Sequence, residues 1–146
     1  MRSEVGIRVA APERVVFGLA SEVVRWPERL PHYRYVRRLG SPDERRFAFG
    51  ARRGRIPVRW EAVVRPLPEA HRLEFRHTGG VTRGMAVAWT FTSAADGIVD
   101  VRIEHELTLG WPLIGGLAAR FIDREFIGPI ARRTLRRVRA LAEARA

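Results

Sequence analysis

From Val99 to Leu109 apolar and polar residues alternate with period two, placing Val99, Val101, Ile103, His105, Leu107 and Leu109 on one face and Asp100, Arg102, Glu104, Glu106 and Thr108 on the other. This is the pattern of a strand with one face on a core and one in water, and His105 is its single misfit. Two earlier stretches repeat it, with Leu73, Phe75 and His77 in one and Met85, Val87, Trp89 and Phe91 in the other. The chain opens the same way, Val5, Ile7 and Val9 alternating with Glu4, Gly6 and Arg8. The spacing predicts six further strands over 32–40, 45–53, 56–66, 71–78, 84–93 and 98–109, divided by the turn signals Ser41-Pro42-Asp43, Arg53-Gly54-Arg55, Pro66-Leu67-Pro68, Gly79-Gly80 and Ala95-Asp96-Gly97.

Helical signals occupy two places. Ala11-Pro12-Glu13 starts a helix, because proline is tolerated at the first helical position and an early glutamate complements the dipole, and Val15, Val16, Leu19 and Ala20 give it an apolar side. A second short helix or turn is expected around Glu22–Trp26, interrupted by Pro27 and Pro31. After Gly110-Trp111-Pro112 the period is helical to the end, with Leu117, Phe121, Ile130, Leu135, Val138 and Leu141 as the apolar stripe and Gly128-Pro129 as a kink or break.

This order predicts an α+β fold in which a curved, seven-stranded antiparallel sheet wraps one long kinked C-terminal helix, with two short helices after the first strand. A curved sheet cannot touch a straight helix along its whole length, so a cavity is expected between them. Trp60, Phe75, Met85, Trp89, Phe91 and Phe121 are its candidate apolar lining, with His77 and His105 as polar points and Tyr33 and Tyr35 as further donors. The competing reading of each residue is plain core packing, which a lone histidine or aromatic on an apolar face satisfies more often than not.

Composition narrows the chemistry. The 146 residues suit a single domain over 1–146, long enough to bury about two thirds of its unfolded surface. Cysteine is absent, which excludes disulfides, thiolate metal sites and cysteine nucleophiles. All 27 basic residues are arginine and the formal net charge is +11, which permits nucleic acid, anionic membrane surfaces or acidic ligands as partners. The arginines are spread over nearly every element and no nucleic-acid-binding module is visible, which argues against nucleic acid. No charged-then-apolar leader precedes the first strand and no apolar run reaches the length of a membrane span, so a soluble, cytoplasmic protein is expected.

The ordered combination of Ala11-Pro12-Glu13-Arg14-Val15-Val16-Phe17 after the first strand, the Trp26-Pro27 and Leu30-Pro31 breaks and the kinked C-terminal helix resembles the START/polyketide-cyclase (SRPBCC) superfamily. This is the helix-grip fold of birch-pollen-type allergens and of coenzyme Q-binding START-like proteins. The resemblance covers essentially the whole chain. It implies a hydrophobic-ligand site between sheet and helix, taking lipids, quinones, sterols or polyketides, in a family where some members are cyclases or dehydratases and many only bind or carry.

Other chemistries find no support. There is no G-x-G-x-x-G after a strand, no H-E-x-x-H, and no nucleophile elbow around Ser3, Ser21, Ser41 or Ser93. His105 and Glu106 face opposite ways on a strand, so no metal is expected, and no cofactor. The expected function is binding or carriage of a small hydrophobic molecule. The alternative is cyclisation or dehydration of a carbonyl-rich substrate, with His77 or His105 as general acid or base and Tyr33 or Tyr35 as donor. Entrance loops are expected at Thr78–Gly84, around Val81, and at Gly110–Gly116, around Trp111, Leu113 and Ile114. The polar flank of the terminal helix, Arg132, Arg133, Arg136, Arg137 and Arg139, extended by Arg120 and Arg124, is expected to favour anionic membrane surfaces. A homo-oligomer is left open.

Overall fold

The computed structural model describes residues 1–80, 82–109 and 115–146. Seven strands form one antiparallel sheet: β1 (Arg2–Val9), β2 (Tyr33–Leu39), β3 (Arg46–Arg53), β4 (Ile56–Leu67), β5 (Arg72–Gly80), β6 (Ala86–Ser93) and β7 (Val99–Glu106). Their order is β1-β7-β6-β5-β4-β3-β2, a meander whose last strand pairs with the first. Between β1 and β2 lie α1 (Glu13–Ser21), a single 3₁₀ turn over Val23–Arg25, and α2 (Trp26–Arg29). After β7 the chain is helical from Gly115 to Arg145: α3 (Gly115–Ile122), a π turn (Asp123–Ile127) and α4 (Gly128–Arg145). The fold is an α+β helix-grip: a curved sheet closed around one long helix.

The alternation decides which face packs. In β7 Val99, Val101, Ile103 and His105 are buried while Arg102 and Glu106 are exposed, and β5 and β6 repeat the pattern with Leu73, Phe75, His77 and Val87, Trp89, Phe91. Cross-strand register brings these residues into rows: Leu73 opposite Trp89 opposite Ile103, and Phe75 opposite Val87 opposite His105. Register shifts at Tyr33/Tyr35, where Arg34 of β2 is the extra residue, and opposite Glu61/Ala62 of β4, where Thr78 of β5 is, are bulges, which bend a strand and increase its twist.

Most strand ends fall within a residue of expectation, but β5 continues through Gly79 and Gly80, which pair with Glu61 and Trp60 instead of forming a turn, and three further boundaries differ. β7 stops at Glu106 rather than Leu109, because β6 begins at Ala86, directly opposite Glu106, and beyond it the strand has lost that neighbour. β6 itself starts two residues late because Thr82–Met85 form a tight turn, with the Met85 N–H donating to the Thr82 carbonyl and a glycine at positive φ both ahead of it (Gly80, 93°) and within it (Gly84, 89°). Pro27 does not interrupt the second helix but stands in the first turn of α2, where its missing N–H has no intrahelical partner to lose.

The expected kink is also placed differently. Gly128 and Pro129 begin α4 without a break, and the irregularity lies one turn earlier, where the Gly128 N–H reaches back to the Asp123 carbonyl in the π pattern. Pro129 has no N–H to offer the Glu125 carbonyl, and that oxygen instead accepts from Arg53 Nε at 3.0 Å. The wide turn is thus tied to the tip of the β3–β4 hairpin.

The core gathers around Trp26. Its ring contacts Tyr33 (4.9 Å between centroids), Phe49 and Phe75 (5.8 Å each) and Trp89 (6.3 Å), and its Nε1–H donates to the Leu19 carbonyl. Among the described residues no helix is long and apolar enough to cross a membrane.

Candidate functional site

Between the inner face of the sheet and the long helix lies a cavity of about 350 Å³. Its sheet wall is built from alternate residues of five strands: Phe49 of β3, Val58 and Trp60 of β4, Phe75 and His77 of β5, Val87 and Trp89 of β6, and Ile103 and His105 of β7, with Met85 just ahead of β6. Trp26 and Tyr33 close one side, and Ile122, Phe126, Ile127, Ile130, Ala131 and Thr134 form the helical wall. The lining residues that remain exposed are Ile56, Pro57 and Arg59 at the start of β4, which together with half-buried Phe126 mark the mouth.

One wall carries parallel rings. Phe49 and Trp60 stack at 5.4 Å with an interplanar angle of 5°, and Trp60 and His77 at 5.8 Å with 3°. The bulge opposite Glu61/Ala62 lies between the pairs Trp60–Gly80 and Ala62–His77.

Polar groups enter this apolar space at few points. His77 and Thr82 share a hydrogen bond of 2.7 Å between Nδ1 and Oγ1. Nδ1 of His105 is buried with no partner among the described residues. Behind the helical wall the Thr134 hydroxyl donates to the Ile130 carbonyl at 2.8 Å, so its oxygen accepts from His32 Nε2 at 2.9 Å. That fixes the proton of His32 on Nε2 and leaves its buried Nδ1 unpartnered.

Burial removes charge from all three rings. It pushes His77 down to about 3, with the neighbouring His105 adding to the effect. It pushes His105 down to about 4 against the attraction of Asp123. His32 is also lowered to about 4, by burial first and then by Arg133. The Tyr33 phenol is raised by burial, partly offset by Thr134. Near neutral pH the cavity is therefore uncharged inside, with neutral imidazole and hydroxyl groups that donate or accept hydrogen bonds.

Of the residues singled out in the sequence, Trp60, Phe75, His77, Met85, Trp89, His105 and Tyr33 line one space. Three do not. Tyr35 lies on the other face of β2, its ring against Gly50 at a distance that leaves no room for a Cβ there, because the bulge after Tyr33 reverses the alternation. Phe91 is buried but belongs under α1, edge-on to Phe17 at 5.2 Å. Phe121 is 52% exposed, because α3 turns Ala119 and Ile122 to the core and Phe121 outward with Leu117, one turn before it.

The lining residues that sequence reasoning passed over include Trp26, Phe49 and Thr134. Thr134 had a signal: it is a polar residue on the stripe Ile130, Thr134, Val138, the helical counterpart of the misfit at His105. The expected entrance loops fall partly on Val81 and on residues 110–114, which lie outside the described residues.

The model of the family described as "Polyketide cyclase / dehydrase and lipid transport" matches residues 9–134. The chain belongs to this family. A curated relative is the granaticin polyketide synthase bifunctional cyclase/dehydratase of Streptomyces violaceoruber, 28% identical over 113 residues. That match takes in 74% of this chain and 34% of the relative, so the chain spans about a third of it. Among solved structures, the Zhui aromatase/cyclase from Streptomyces sp. R1128 superposes with a TM-score of 0.82 at 17% identity, covering 99% of this chain and 94% of that one. A START superfamily protein from Mycobacterium smegmatis gives a TM-score of 0.76 at 11% identity, covering 99% of each chain. At these identities the structures speak for the fold alone, the helix-grip.

Proposed function

We propose that the protein binds a planar, hydrophobic, oxygen-bearing molecule of polyketide type in the cavity between sheet and helix. The observation that carries this reading is an apolar space of about 350 Å³ into which a few uncharged hydrogen-bonding groups converge. A dry apolar cavity of about 150 Å³ holds one benzene, so this one has room for roughly two or three fused rings. The parallel wall of Phe49, Trp60 and His77 favours a flat ligand that joins the stack. His77, His105, Tyr33 and Thr134 are the groups that would orient its carbonyl or hydroxyl oxygens.

A second reading, cyclase or dehydratase activity, is favoured by the curated relative's name. In it one carbon–carbon bond forms between an α-carbon and a carbonyl carbon of a folded poly-carbonyl chain, and water then leaves. Against His77 or His105 as the base stand their lowered pKa values of about 3 and about 4, since general-base catalysis is most effective when the base is matched to the working pH. Under this reading the cavity acts chiefly by holding the chain in the conformation that closes.

The two readings part in one experiment. The protein is incubated with a tricyclic hydroxyanthraquinone and, separately, with a linear poly-β-carbonyl thioester, followed by native mass spectrometry and chromatography of the extract. Binding alone gives a one-to-one complex with the quinone and returns the thioester at its uncatalysed rate of cyclisation. A dehydrated cyclic product above that rate, lost in a Trp60→Ala variant, establishes turnover. Absence of any complex with either compound overturns both.

A further inference from the structure

Of the four large apolar side chains exposed on the described surface, three stand among arginines at or beside the mouth, and the fourth, Val24, lies apart on the turn before α2. Leu117 (69% exposed) and Phe121 (52% exposed) project from α3, and Ile56 (53% exposed) from the start of β4. Leu117, Arg120, Phe121 and Arg124 follow the spacing i, i+3, i+4, i+7 and so share one outward stripe, while Ala119 and Ile122 face the core. Phe121 packs edge-on to Phe126, a residue of the cavity wall, at 6.4 Å. The β3–β4 hairpin tip, Arg52-Arg53-Gly54-Arg55, is held to the same region by the bond from Arg53 to the Glu125 carbonyl.

Both acidic side chains of the neighbouring π turn are already engaged. Glu125 pairs with Arg124 at 3.0 Å, and Asp123 accepts from Ser3 at 2.7 Å. Arg52, Arg55 and Arg120 are exposed and enter no salt bridge among the described residues.

We propose that this face, α3 together with the tip of the β3–β4 hairpin, docks on the surface of an anionic lipid bilayer. The partner is chosen by shape and charge. The apolar side chains are separate protruding knobs rather than the walls of a groove, which suits insertion among fluid acyl chains, and the arginines beside them sit where headgroup phosphates would lie. An arginine close to an anionic surface contributes about fivefold in partitioning, and the effect decays within a Debye length. Docked this way the mouth at Ile56, Pro57 and Phe126 meets the membrane, so an apolar ligand passes between bilayer and cavity without crossing water. This purpose rests on the ligand-binding reading; the docking itself does not. The face shares Arg120 and Arg124 with the one expected from sequence but leaves out the arginine-rich flank of α4, where Arg137 is engaged with the Arg29 carbonyl and Arg139 with Glu143.

The test is co-sedimentation with vesicles of phosphatidylcholine alone and of phosphatidylcholine with 30% phosphatidylglycerol (about a third anionic, as in a strongly charged leaflet), at low and at physiological salt. Three proteins are compared: wild type, Leu117→Ser/Phe121→Ser, and Arg52→Gln/Arg55→Gln. All substituted residues lie outside the cavity lining, so quinone binding serves as the control for folding and is expected unchanged. The account predicts that wild type binds anionic vesicles and that each double variant binds at least tenfold more weakly. It is overturned by absence of vesicle binding at low salt, or by equal binding of all three proteins. In a separate variant, Arg132→Gln/Arg133→Gln/Arg136→Gln, loss of binding that neither double variant shows would move the contact to α4 and also overturn it. So would self-association in sedimentation equilibrium that Leu117→Ser/Phe121→Ser abolishes while vesicle binding stays unaffected. Loss of quinone binding in wild type, with vesicle binding intact, would strike the ligand reading and leave the docking face standing.

Discussion

Three imidazoles, His32, His77 and His105, enter the folded interior uncharged, and this makes stability depend on pH in a defined window. In the unfolded chain each titrates near 6.5, whereas in the fold they lie at about 4, about 3 and about 4. Below pH 6.5 the unfolded state therefore binds protons that the native state refuses, and stability falls with falling pH until the folded values are reached. Each ring contributes a slope approaching about 1.4 kcal/mol per pH unit within that window. Urea unfolding at pH 7, 6, 5 and 4.5 should show this decline, and His105→Phe should reduce its slope by about one ring's share while leaving the neutral-pH fold intact. An unchanged slope in that variant would mean His105 is not held neutral. At this scale the sequence was readable wherever a polar residue broke an apolar period. His77 and His105 were legible for that reason, whereas Thr134, which breaks a helical period in the same way, was passed over. Tyr35 was not legible, because a bulge between Tyr33 and Tyr35 reverses the alternation that would place both on one face.

At the scale of elements, Tyr35 has a structural task that the bulge creates. Its ring covers Gly50 of β3, where a Cβ would collide with it. Gly50→Ala should therefore destabilise the protein by about 1–3 kcal/mol as an overpacked contact, and Tyr35→Ala in the same chain should recover part of that loss. Additive losses in the double variant would rule the contact out. Tyr35→Ala alone should leave ligand affinity unchanged, since Tyr35 is not part of the cavity wall. The long helix shows what local signals can and cannot reveal. Gly128-Pro129 announced an irregularity, but a proline frees the carbonyl four residues before it, so the disturbance falls at Asp123–Ile127, and its freed oxygen is satisfied by Arg53, a partner more than seventy residues away in sequence that no local pattern could name.

For the molecule as a whole, the order of strands and helices was legible because each alternating stretch is long and bounded by strong turn residues, and the order of β2 to β7 follows from a meander, whereas the place of β1 beside β7, reached by a connection through α1 and α2 that crosses the sheet, is not written in any local pattern. The mouth was not legible, because it arises where the β4 start, the π turn and the hairpin tip meet, three segments remote in sequence. What the assembled molecule does depends on whether the space under the sheet is a ligand site or slack in the core. Ala131 lines that space from α4, and a phenyl group there would occupy part of it from the helix side while leaving His77 and His105 unsubstituted. Calorimetric titration of wild type and Ala131→Phe with a tricyclic hydroxyanthraquinone, alongside thermal melts of both, decides the point. The account predicts one-to-one binding by wild type and at least a tenfold loss of affinity in the filled variant, whose melting temperature stays within a few degrees of wild type. Equal affinity in both proteins would contradict it.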